Sequence, residues 1–127
     1  MFIAHDDARL LGKIAFMGLW QGRFVESESI FAALRAAQPD RIGPALGLGM
    51  VHAHKGAYAK AAEILETQAL AMDPKDDHAR AWLGLVLYRD GKNEQARRYL
   101  DAVLADASAE DAKKLARSIL DEMAAAT

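Results

Sequence analysis

With 127 residues, 52% of them hydrophobic and 27% charged, the chain has the length and composition of one globular domain, able to bury about two-thirds of the surface its unfolded form exposes. Its 16 basic and 18 acidic side chains leave a net charge of −2 without the basic excess of non-specific nucleic-acid binding, and its lack of cysteine excludes disulfides, thiolate catalysis and cysteine-based metal sites. The apolar runs are too short to span a bilayer, and Asp6 and Asp7 stand where a secretory signal would be basic and then apolar, so a soluble, cytoplasmic protein is expected.

Ala, Leu, Arg and Glu dominate the chain, and no segment alternates as a strand would, which predicts an all-α fold. The apolar periodicity predicts seven helices, at about 6–20, 24–38, 42–54, 58–72, 77–90, 93–106 and 109–124. Gly22, Gly56 and Gly91 separate the members of the first three pairs, at spacings of 34 and 35 residues. Pro39 and Pro74 repeat at 35. The unit is therefore helix, glycine turn, helix, short connection. The last segment opens with Ser108-Ala109-Glu110-Asp111, which reads as an N-cap with an acidic residue three positions on. It continues with a single apolar stripe through Ala112, Leu115, Ala116, Ile119, Leu120 and Met123. Such a helix would cover the exposed end of the third pair.

Aligning the units on their glycines brings matching residue sizes into register. Eight residues before each glycine lie Ile14, Leu48 and Leu83, and seven before lie Ala15, Gly49 and Gly84. Five after lie Ser27, Ala61 and Ala96, and nine after lie Phe31, Leu65 and Leu100. Small residues let two helices cross closely while bulky neighbours fill the gaps. This pattern resembles the tetratricopeptide repeat over residues 8–108. The resemblance implies one domain over 1–127, a right-handed solenoid of three helix hairpins (about 8–40, 42–75 and 77–108) with a capping helix at 109–124. The repeat's terminal proline is Pro39 in the first unit, falls one residue late at Pro74 and is replaced by Ser108 in the third. Its early aromatic or leucine position holds Leu11, Ala45 and Arg80, with Trp82 two residues on placed to take over that packing role.

Candidates for chemistry are few. His52 and His54 lie two apart on a helix, so their side chains point about 200° apart and cannot share one ion. The expected arrangement is one His packed between hairpins and the other in the groove or solvent. Asp6-Asp7 and Asp76-Asp77 read as helix-start acids that cap and complement the dipole. Leu46-Gly47-Leu48-Gly49 lies within a helix period and lacks a following Lys-Ser/Thr, so it is no phosphate loop; Gly49 suits a close helix contact, with Gly47 the more tolerant of the two if it faces outward. No catalytic residue, metal ligand or cofactor site is expected, and the protein reads as a non-enzyme.

In the repeat class resembled here, the first helix of each hairpin lines a concave groove. Counting six, three and two residues back from each glycine selects Phe16, Leu19 and Trp20, then Met50, Ala53 and His54, then Leu85, Tyr88 and Arg89. All of these except Ala53 form the candidate binding set, an apolar and aromatic row suited to a peptide with hydrophobic anchors. Core packing is the alternative for the leucines. A narrower resemblance lies in Gly22-Arg-Phe-Val-Glu-Ser-Glu-Ser-Ile-Phe-Ala-Ala-Leu and Ala45-Leu-Gly-Leu-Gly, which look like the small tetratricopeptide chaperones of bacterial type III secretion. That resemblance implies a chaperone or adaptor holding a secreted subunit; from the charge balance and the short apolar runs, no nucleic-acid partner and no membrane insertion are expected. Two rival readings are a scaffold or self-assembly module, in which the apolar row is an oligomer interface and the protein a homodimer, and a small hydrolase or metal protein built on helices.

Overall fold

The computed structural model describes residues 4–126. Among them lie seven helices and no strand: α1 His5–Trp20, α2 Phe24–Ala37, α3 Ile42–His54, α4 at 58–72, α5 Asp77–Arg89, α6 Asn93–Asp106 and α7 Glu110–Ala125. Each begins and ends within a residue of its expected bounds. Gly22, Gly56 and Gly91 have φ of 78°, 80° and 82°. That left-handed conformation is open to glycine and strained for other residues, so these three positions place the hairpin turns.

α1 packs on α2, α3 on α4 and α5 on α6, while α1 touches α3, α3 touches α5 and α5 touches α7. The first helices of the pairs thus stand side by side, followed by α7. The small residues seven before each turn meet the bulky ones nine after it. A Cβ on Gly49 would lie 2.6 Å from Leu65 Cδ2, and one on Gly84 would collide with Leu100. In the first hairpin, Ser27 Oγ donates to the Ala15 carbonyl at 2.7 Å. Gly47 does not face outward: a Cβ there would run into the Phe31 ring, because α3 also packs on α2 of the preceding hairpin.

α4 contains a five-residue π turn, Leu65–Ala69, between its opening Tyr58–Ile64 and its last turn Leu70–Met72. A π turn absorbs one extra residue without breaking a helix. This accounts for the second unit's 35-residue spacing and for Pro74 falling one residue late.

Asp76 caps α5, its Oδ1 accepting the Ala79 N–H at 2.9 Å. The start of α7 differs from the expectation. Its N-cap is Ala109, which makes no side-chain cap bond, and Ser108 does not fill that role. Instead Asp77 Oδ2, from α5, accepts the N–H groups of Ser108 and Ala109 at 2.9 and 3.0 Å. Arg80 occupies the column expected to be aromatic and is 5% exposed. Its Nη2 donates to Asp77 at 3.2 Å and to Asp106 at 2.7 Å. Trp82 therefore does not take over that packing position; it turns toward α3. Ala112, Ala116, Ile119 and Met123 bury the apolar stripe of α7 in the main core.

Candidate functional site

Trp82 marks a hollow between α3 and α5. The cavity is about 180 Å3 and is lined by Ala53, His54, Tyr58, Trp82, Leu85, Val86 and Arg89. Val86 is fully buried and Ala53 nearly so, whereas Trp82, Leu85 and Tyr58 are half-buried and His54 and Arg89 exposed. The arrangement is an apolar floor, aromatic walls and one cation.

His54 links this hollow to the first hairpin. Its ring lies 5.3 Å from that of Trp20, edge to face at 83°, and 5.7 Å from that of Trp82 at 34°. Its Nδ1–H donates to the Met50 carbonyl at 2.8 Å, which makes Nε2 the acceptor of the neutral ring. Trp20, at 66% exposure, extends the aromatic surface onto α1. Edge-to-face rings of this kind contribute about 0.5–1.5 kcal/mol beyond the area they bury.

The sequence-derived row is divided by the structure. His54, Leu85 and Arg89 line the hollow, and Trp20 adjoins it through His54. Leu19 and Met50, at 2% and 7% exposure, belong to the core with Phe31 and Val51 and offer almost no surface to a ligand. The hairpin of Met50 is the middle one, so α1 and α5 cover it from both sides. Phe16 is half-buried, packs edge-on against Phe31 at 4.8 Å and 70°, and lines a different cavity. Tyr88 turns toward α7, where the neighbouring Glu122 carboxylate raises its pKa above the ordinary tyrosine value.

Tyr58, Trp82 and Val86 were absent from the row. Trp82 stands nine residues before Gly91, a position where the other units have Lys13 and Gly47. A large aromatic in that column was the available signal. His52, by contrast, lies between hairpins beside Glu28, at 3.9 Å, and burial lowers its pKa. Among the described residues no group of three or more His, Asp or Glu side chains is placed to hold a metal ion. Among the same residues no helix is long and apolar enough to cross a membrane.

Two family models of the tetratricopeptide repeat match the chain, one over residues 52–119 and one over 19–76. No curated protein matches it by sequence. Several solved structures share the fold. The type III secretion chaperone SycD of Yersinia enterocolitica, in complex with a peptide of the translocator YopD, superposes with a TM-score of 0.81 at 21% identity, covering 96% of this chain and 93% of that one. PcrH, in complex with the chaperone binding region of PopB, gives 0.79 at 20% identity, covering 91% and 94%. The first repeat domain of Spaghetti (RPAP3), bound to an HSP90 peptide, gives 0.78 at 18% identity, covering 98% of each chain.

Proposed function

Because the chain belongs to the tetratricopeptide repeat family, we propose that the face of α1, α3 and α5 holds a hydrophobic segment of a partner protein, in the manner of a chaperone or adaptor. The observation that carries this reading is the hollow between α3 and α5, with Trp82, Tyr58 and Leu85 around a buried floor and Trp20 alongside. An apolar cavity with a few polar groups at its rim suits an anchor side chain. The role is binding without catalysis, in the bacterial cytoplasm, and needs no cofactor. SycD and PcrH, whose structures contain segments of YopD and PopB, support a secreted type III subunit as the partner class.

The test is affinity capture from the native host with the full chain, followed by calorimetry on peptides of the captured protein. Capture of an export substrate, lost in Trp82→Ala and retained in the α6 surface variant Arg97→Ala, is the expected result. Equal capture by both variants overturns the reading.

A second reading, self-assembly, is favoured by Leu10, Ile14 and Met17. They are 57%, 45% and 58% exposed and spaced to form one stripe on α1. Concentration-dependent dimerisation abolished by Ile14→Ser and Met17→Ser would support it.

A further inference from the structure

A second cavity opens between α1 and α3, with the end of α2 behind it. Its volume is about 290 Å3. Leu34 and Pro44 are buried in it, Phe16 and Ile42 half-buried, and Arg9 and Arg41 stand exposed at its rim. Among the described residues, no carboxylate lines it. Neither arginine forms an ion pair with a described residue. An apolar floor beneath two unpaired guanidinium groups matches a ligand that brings an apolar side chain with a carboxylate next to it.

The two cavities share one helix. α3 contributes Gly43 and Pro44 to this one and Ala53 and His54 to the other. Ten residues of helix separate Pro44 from His54, a rise of about 15 Å. An extended chain covers that distance in about four or five residues, so one short segment reaches both.

We propose that the bound segment is bipartite. One apolar anchor enters the α3–α5 hollow. A second enters the α1–α3 hollow about four or five residues away, and an adjacent Asp or Glu pairs with Arg9 and Arg41. The inference rests on the reading that this face binds a partner segment, and it specifies that segment's spacing and charge.

The experiment uses the full chain and a synthetic, end-blocked peptide in which two Leu are separated by four Ser, the second Leu being followed by Glu. A matched peptide carries Gln in place of Glu. Affinity is read by fluorescence polarisation, and location by amide shifts of Gly12 and Gly43 for one cavity and of Ala53 and Val86 for the other. The Glu peptide should shift both sets and bind roughly threefold to tenfold more tightly than the Gln peptide, the range expected for charge-assisted pairs at an exposed rim. Arg9→Gln with Arg41→Gln should erase that preference, whereas Trp82→Ala should weaken both peptides alike. Shifts confined to Ala53 and Val86, with equal affinity for the two peptides, overturn the bipartite segment and leave the groove reading standing. Shifts at neither cavity overturn the bipartite segment and count against the groove as well.

Discussion

Asp77 and Ser108, 31 residues apart, are joined by a hydrogen bond in which the Ser108 N–H donates to Asp77 Oδ2 at 2.9 Å. The same oxygen takes the Ala109 N–H, and the other carboxylate oxygen takes Arg80 Nη2. One side chain at the start of α5 therefore holds the start of α7 and the buried cation of its own helix. Asp77 also sits in the first turn of α5, where the helix dipole favours a negative charge.

Removing that carboxylate frees two backbone donors and leaves Arg80 with Asp106 alone. Asp77→Ala should cost on the order of 2 kcal/mol, the scale of hydrogen bonds to a charged group. Ser108→Ala should stay within about 0.5 kcal/mol, because its side chain caps nothing. Urea midpoints of the two variants check the pair. A larger loss for Ser108→Ala would restore the capping role that its sequence position suggests.

The same carboxylates set the response to acid. Asp77 is held below its ordinary value of 3.8, chiefly by the Ala109 N–H. Asp106 is held below it chiefly by its bond from Arg80, and Asp111 chiefly by its bond from His78. A carboxylate whose native pKa is depressed binds fewer protons folded than unfolded around and below 3.8. Its stabilising contribution is therefore complete above that value and lost as the pH falls through the native one. Urea midpoints measured from pH 5 to pH 2 should decline across this window, and Asp77→Ala should flatten the decline. An unchanged slope in the variant would remove Asp77 from the account.

The glycines separate into two kinds. Gly47 and Gly84 face Phe31 and Leu100, with no room for a methyl group, whereas a Cβ on Gly12 meets nothing within 4 Å. Gly47→Ala and Gly84→Ala should each destabilise by about 1–3 kcal/mol through overpacking. Gly12→Ala should stabilise by about 0.5–1 kcal/mol, since it removes backbone freedom inside a helix at no steric cost. Thermal midpoints of the three variants decide. Similar tolerance at all three would mean that the crossings are looser than the structure has them.

These positions also show which parts of the molecule are legible in a single sequence. Turn glycines and size-matched columns report local geometry, so Gly22, Gly56 and Gly91 locate the hairpins, and Gly49 with Leu65 locates a crossing. The π turn at 65–69 leaves only a one-residue slip of a proline as its trace. Gly47 could not be oriented from its own hairpin, because Phe31 belongs to the preceding one. The same limit applies to the candidate site. Leu19, Ala53 and Tyr88 share a column, yet Leu19 is sealed in the core, Ala53 floors the hollow and Tyr88 reaches Glu122 on α7. What covers a residue in a solenoid is the neighbouring hairpin, and counting back from a turn carries no information about that neighbour. Trp82 escaped for the complementary reason. Its column holds Lys13 and Gly47 elsewhere, so no shared chemistry marked it.

Leu19 and Trp20 give the sharpest separation of core from site, because they are adjacent in sequence and opposite in environment. Leu19 is 2% exposed and packs with Phe31, Met50 and Val51. Leu19→Ala removes most of a buried side chain and leaves a cavity between hairpins, which should cost about 2–5 kcal/mol. Trp20 is 66% exposed, and among the described residues its ring contact is with His54, edge to face. Trp20→Ala should change the urea midpoint by no more than about 0.5–1 kcal/mol. Partner binding should reverse the order. Peptide capture by folded Leu19→Ala, measured at low temperature, should stay within about threefold of the parent, since that side chain presents no surface to the ligand. Trp20→Ala should weaken capture by about tenfold or more, as truncating an aromatic anchor does. Circular dichroism melts and calorimetric titration with a captured peptide supply the two axes. A Trp20→Ala protein that melts early but captures normally would move Trp20 into the structural core. One that melts and captures like the parent would shift the working face away from α1 and toward the hollow between α3 and α5 alone.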